Sequence, residues 1–135
     1  MAKANVLFLC TGNSARSQMA EALLRRADDE RFEAHSAGLE PSRINPLAIE
    51  AMAEVGVDIT ANRPQRWSDA TLEAADVIVT MGCGDTCPVL PGKRYVDWEL
   101  TDPAGKPLEE VRPIRDDIRD RVENLLNELG VERVG

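Results

Sequence analysis

The sequence predicts an α/β fold, a four-stranded parallel sheet with helices on both faces. Two observations carry this. Strand-like and helix-like segments alternate along the chain, the pattern that parallel strands joined by helical crossovers produce. The residues richest in chemistry fall in loops that follow strands, at the carboxyl ends where such sheets build their sites.

Asn5 to Cys10 is a short apolar run and reads as a buried strand. Ser17 to Arg26 follows as a helix, with Met19, Ala20, Leu23 and Leu24 on its inner face and Ser17 placed as its N-cap. Phe32 to Ala37 reads as the second strand. Pro46 and Gly56 bracket another helix, because proline is preorganised for a first turn and glycine suits the position past the last; Ile49, Met52 and Val55 repeat at helical spacing between them. Ser68 to Ala75, opening Ser-Asp-Ala, is a further helix that leads into the Val/Ile-rich strand Asp76 to Met81, and Arg94 to Trp98 is a shorter strand. The closing helix is the clearest element: Val111, Ile114, Ile118, Val122, Leu125 and Leu129 mark one face from about Glu109 to about Glu128, with charge elsewhere.

At 135 residues the chain is expected to form one domain, residues 1–135. That length buries about two-thirds of the unfolded surface without disulfides or a structural metal. Sixteen Lys and Arg against 24 Asp and Glu give a formal net charge of −8, which argues against non-specific binding to nucleic acid or anionic membrane. Any anionic substrate must therefore be drawn by a local positive site against the field of the whole protein. The apolar run Val6 to Cys10 is too short for the core of a signal peptide and no stretch could span a bilayer, so a cytoplasmic location is expected. Three cysteines in a reducing compartment suit redox catalysis better than structural bridges.

Cys10-Thr11-Gly12-Asn13-Ser14-Ala15-Arg16-Ser17 lies between the first strand and the first helix. A short loop feeding a helix N-terminus points its backbone N–H groups inward, so it can hold a tetrahedral anion and stabilise a thiolate by the same field. Gly12 and Asn13 tolerate the left-handed backbone such a loop needs. The planar guanidinium of Arg16 can take two oxygens of one anion, and the Ser17 hydroxyl can hydrogen-bond the sulfur. The bland alternative, a buried apolar cysteine in an ordinary turn, leaves the arginine without a purpose. A nucleotide P-loop is disfavoured because no Gly-Lys-Ser/Thr follows.

Cys83 and Cys87 stand four positions apart in Met81-Gly82-Cys83-Gly84-Asp85-Thr86-Cys87-Pro88, directly after a strand, in a loop whose glycines let the thiols approach. Their spacing departs from the usual zinc knuckle and the chain has a single histidine, His35, so no metal site is assigned to them. His35 lies in a strand and reads as structural rather than as a base. Asp102, in Thr101-Asp102-Pro103-Ala104-Gly105 after the last strand, is a turn residue by its motif but can reach the cradle and give a proton to a leaving oxygen.

With these residues in place, the chain resembles the arsenate reductases that share the low-molecular-weight tyrosine phosphatase fold, a three-layer sandwich. The likeness is carried by residues 8–21, His-Ser-Ala-Gly at 35–38, the helix start near Asn45, the Cys83/Cys87 loop ending in Pro88, and Asp97-Trp98 with Asp-Pro-Ala-Gly at 102–105. The resemblance implies Cys10 as nucleophile, Arg16 and the amides of Thr11 to Ser17 as oxyanion binders, Asp102 as general acid, and Cys83 and Cys87 as a disulfide relay. It implies arsenate as substrate, with phosphate or sulfate competing, thioredoxin or a similar dithiol protein as reductant, and no organic cofactor. Some members hold potassium beside the cradle through Asn, Glu, Ser and Asp; here Asn13, Glu21 and Ser36 match, Gln65 replaces the Asp, and no metal is assigned. The alternatives are a tyrosine phosphatase, disfavoured by Ala15 before the arginine and Ala104-Gly105 where aromatics are expected, and a reductase that uses a low-molecular-weight thiol such as mycothiol.

Overall fold

The computed structural model describes residues 4–81 and 92–134. The elements run β1 (Ala4–Cys10), α1 (Arg16–Ala27), β2 (Phe32–Gly38), α2 (Pro46–Glu54), α3 (Asp69–Ala74), β3 (Val77–Met81), β4 (Arg94–Asp97) and α4 (Leu108–Val134). All neighbouring strands are parallel, as the sequence pattern predicts, and the sheet order is β2-β1-β3-β4. After β1 the chain moves to one side of it for β2 and later returns to the other side for β3. β1 therefore ends at a topological switch point, where open α/β sheets leave a crevice for ligands, and Cys10 is its last residue.

Burial explains why β1 is apolar throughout. Val6, Phe8 and Cys10 face a core shared with α1, α2 and α4, while Leu7 and Leu9 face a smaller one with Ala37, Leu72, Ala75 and Ile78 beneath α3. Helices thus cover both faces of the sheet. The predicted inner faces hold: Met19, Ala20, Leu23 and Leu24 of α1 and all six marked apolar residues of α4 are buried. α2 opens on Asn45, whose Oδ1 accepts the Leu47 N–H at 2.9 Å, and closes before Gly56, at φ +81°.

Two expectations are corrected. Ser17 is not the N-cap of α1; Ala15 holds that position, with no side-chain cap, and Ser17 lies inside the first turn. The closing helix does not stop near Glu128 but runs to Val134. Gly130 stays helical there as a close approach, since a Cβ on it would lie 3.1 Å from the Arg31 guanidinium.

Candidate active site

The loop after β1 is shaped from outside. Glu40 N–H donates to Thr11 O (2.9 Å), Ser42 N–H to Gly12 O (3.1 Å) and Asn45 N–H to Ser14 O (3.1 Å), while Gln18 Nε2 donates to Asn13 O (3.2 Å). Each carbonyl from 11 to 14 is thus spent on an outer partner. In a trans peptide the following N–H points the opposite way, so those of Gly12, Asn13, Ser14 and Ala15 turn to the concave side. None of the four has an acceptor among the described residues.

Two residues permit this geometry. Asn13 adopts φ +49°, the single non-glycine in the left-handed region among the described residues. Gly38, the β2 neighbour of Cys10 in register, lets the loop pass: a Cβ there would come within 2.7 Å of Asn13 N and 2.9 Å of Thr11 O.

At the floor lies the Cys10 sulfur, 2.8 Å from Ser17 Oγ. Asn13 Nδ2 donates to the same hydroxyl oxygen at 2.7 Å. That donation leaves the hydroxyl hydrogen available to the sulfur, so Asn13 and Ser17 form a chain that can donate to a Cys10 thiolate. Asn13 is held in turn, its Oδ1 accepting from Gln65 N (2.9 Å) and Gln18 Nε2 (3.1 Å). The hydroxyl that sequence analysis placed as a helix cap is thereby engaged at the Cys10 sulfur.

Arg16 is buried, and its Nη2 lies 3.7 Å from Oδ2 of the largely exposed Asp102. An anion entering between them would replace a long contact, not a tight ion pair. Trp98 places the loop bearing Asp102: its ring packs 5.8 Å from that of Phe8, two residues before Cys10, and its N–H donates to Thr80 O. Asp102 Oδ1 accepts the Ala104 N–H at 3.0 Å, which fixes the turn. The structure thus brings Cys10, Thr11, Gly12, Ser14, Ala15, Arg16 and Asp102 around one cavity of about 190 Å³, with Ser42, Asn45 and Ala104. Asn13 and Ser17 support it from beneath. Cys83 and Cys87 lie outside the described residues.

Sequence reasoning missed Ser42 as a wall residue and saw Asn45 only as a helix start. Nothing in the local sequence joins them to Cys10; the backbone bonds from Ser42 and Asn45 to the cradle do. His35 is absent from the cavity, lying 3.4 Å from Glu33 Oε1 and lining a separate hollow with Asn5 and Leu7.

The residues implied for potassium do not present it a free set of oxygens. Glu21 accepts from Ser36 Oγ at 2.7 Å and pairs with Arg25 Nη2 at 2.8 Å, while Gln65 uses its amide to donate to Ser36 O at 2.9 Å. The guanidinium of Arg25 already neutralises this buried carboxylate.

A cysteine on an amide cradle with an arginine and an acidic loop defines an enzyme that handles tetrahedral oxyanions through sulfur. Residues 5–134 match the model of the low molecular weight phosphotyrosine protein phosphatase family, and the chain belongs to that family. An arsenate reductase of Staphylococcus xylosus is 42% identical over 127 residues, 92% of this chain and 97% of that protein. Among solved structures, the thioredoxin-dependent arsenate reductase of Corynebacterium glutamicum superposes with TM-score 0.83 at 37% identity, over 98% of this chain; this chain spans 64% of that longer one. The arginine phosphatase of Geobacillus stearothermophilus superposes with TM-score 0.86 at 27% identity, over 97% of this chain and 96% of that one.

Proposed function

We propose that this protein reduces arsenate to arsenite, with Cys10 as nucleophile. One observation carries the reading: the Cys10 sulfur sits at the bottom of a cavity of about 190 Å³ walled by Arg16, Asp102, Ser42, Asn45 and Ala104, with room for a bare oxyanion and, among the described residues, no aromatic wall for a phenyl ring. End-to-end likeness to arsenate reductases supports it.

The cradle amides and Arg16 hold the arsenate oxygens while the Cys10 thiolate attacks arsenic. Asp102, its carboxyl exposed at the mouth, donates a proton to the departing oxygen, which leaves as water. A sulfur–arsenic bond now joins Cys10 to the substrate. Cys83 supplies the next thiolate. It attacks the Cys10 sulfur, the sulfur–arsenic pair passes to arsenic, and arsenic(V) becomes arsenic(III) as a Cys10–Cys83 disulfide forms. Cys87 then attacks Cys83, releases the Cys10 thiolate and leaves a Cys83–Cys87 disulfide, which an external dithiol such as thioredoxin reduces with two electrons. The reaction belongs to the cytoplasm, where such reductants are kept. Among the described residues no helix is long and apolar enough to cross a membrane.

The test is arsenite production with thioredoxin, thioredoxin reductase and NADPH supplied, together with peptide mapping of non-reduced Cys87→Ser after one equivalent of arsenate. One arsenite per enzyme and a trapped Cys10–Cys83 bond are expected. Full turnover of Cys87→Ser on a small thiol would move the reductant to a low-molecular-weight thiol, and full turnover of Cys83→Ser as well would remove the relay.

A further inference from the structure

The cavity over Cys10 is lined by Asp102 and Ala104 and also by Ser42 and Asn45; the reaction above gives the last two no task. In-line displacement puts the attacking sulfur and the leaving oxygen on opposite sides of the central atom. With the sulfur at the floor, that oxygen faces the mouth. Asn45 has spent Oδ1 on the Leu47 N–H, yet neither its Nδ2 nor the Ser42 hydroxyl has a hydrogen-bond partner among the described residues. Ser42 is held against the cradle: its N–H bonds Gly12 O at 3.1 Å, and a Cβ on Gly12 would lie 2.9 Å from its Oγ.

We propose that Ser42 and Asn45 form a donor rim that grips the outward oxygen of a free tetrahedral oxyanion and so selects arsenate and phosphate over phosphate esters. The proposal rests on the oxyanion reading of the Cys10 site. A free oxyanion presents the rim with a hydroxyl or an oxide that accepts both donors. In an ester the same atom is a bridging oxygen bearing carbon, a poorer acceptor. Ser42 is exposed and Asn45 half-buried, so with an ester the rim donors stay with water. The ester forfeits the charge-assisted hydrogen bonds that a free oxyanion gains there.

The experiment measures inorganic phosphate as a competitive inhibitor of aryl phosphate hydrolysis, and reads the ratio of its Ki to the KM of the aryl phosphate. Ser42→Ala removes one donor. Asn45→Asp keeps an oxygen for the Leu47 amide and removes the other; its added charge repels both ligands, so the ratio cancels that effect. In each variant the ratio should rise roughly tenfold, the loss expected for one hydrogen bond to a charged acceptor. Ser42→Thr, which keeps the hydroxyl, should restore it. A ratio within about twofold of the parent in both Ser42→Ala and Asn45→Asp overturns the rim. Calorimetric titration of inorganic phosphate into the parent and Ser42→Ala gives the same answer without turnover, the parent binding more tightly if the rim exists and equally if it does not. Arsenite production is scored separately, so a failed reductase reading and a failed rim are told apart.

Discussion

Asn13 concentrates the cradle's design in one buried residue, and replacing it separates backbone from side-chain effects. Its φ of +49° is left-handed, a conformation that costs an alanine about 1–2 kcal/mol and glycine almost nothing. Its side chain donates to Ser17 Oγ and accepts from Gln65 N and Gln18 Nε2. Gln18 keeps the Asn13 carbonyl as an acceptor in any variant, so the polar loss falls mainly on the Ser17 and Gln65 bonds, at about 1 kcal/mol each. Asn13→Ala should therefore lose about 3–4 kcal/mol and Asn13→Gly about 2 kcal/mol. Urea denaturation at neutral pH measures both. Activity should behave differently, because either variant removes the donor that orients the Ser17 hydroxyl toward Cys10. Both should fall roughly tenfold in kcat, whatever their difference in stability. Equal stability of the two variants would refute the backbone argument, and parent-like kcat in Asn13→Gly would refute the directed chain to the sulfur.

Asp102→Asn should slow formation of the covalent adduct by about 10²- to 10⁴-fold, measured in a single turnover with aryl phosphate; an unchanged rate would reduce Asp102 to a turn residue. Gly38→Ala forces backbone apart, since the nearest atoms to its Cβ are Asn13 N and Thr11 O, and phosphate binding by calorimetry should be lost. Hydrogen bonds from Arg112, then Arg115, hold the Glu54 carboxyl well below its ordinary 4.5, at about 2. A depressed folded-state value means stability that is present above 4.5 and lost as pH falls toward 2, so Glu54→Gln should flatten the acid limb of a stability–pH curve while leaving its neutral-to-basic shape alone. Exchanging sodium for potassium should shift Tm by less than about 1 °C, because a ligand stabilises only where it binds and Arg25 already occupies the Glu21 carboxylate.

The sheet, its parallel sense and the inner faces of α1 and α4 were legible because periodicity reports burial directly. β1 shows how far this reaches: it is apolar at every position from Val6 to Cys10, and the structure buries all of them, alternately in two cores. The cradle was legible through residue types that few other settings require together, a cysteine, a residue tolerant of positive φ and an arginine. Gly38 was visible only as part of a motif. Its need for a bare Cα comes from a loop twenty-odd residues upstream that crosses it, and Ser42 and Asn45 reach the site by the same long-range route. Local pattern cannot encode a contact between segments whose approach is set by strand order.

The misplaced cap at Ser17 follows from the same limit. Serine before an apolar-periodic run is the usual sign of a helix N-terminus whose first amides need an internal partner. In this chain a side chain over those amides would occupy the seat proposed for the anion. The helix instead begins on Ala15, which can cap nothing, and leaves its N-terminal dipole and amides open. Ser17, one position into the helix, turns its hydroxyl to Cys10 and is kept there by Asn13. An uncapped helix start costs about 1 kcal/mol, a sum that a bound anion returns through charge-assisted hydrogen bonds to the same amides. Tetrahedral oxyanions should therefore raise the thermal stability of this protein in proportion to their affinity. The same argument makes an introduced cap at Ala15, such as Ala15→Ser, a competitor for the site: it should stabilise the empty protein and weaken phosphate binding together, and a gain in both would show that the open helix end is not the anion's seat.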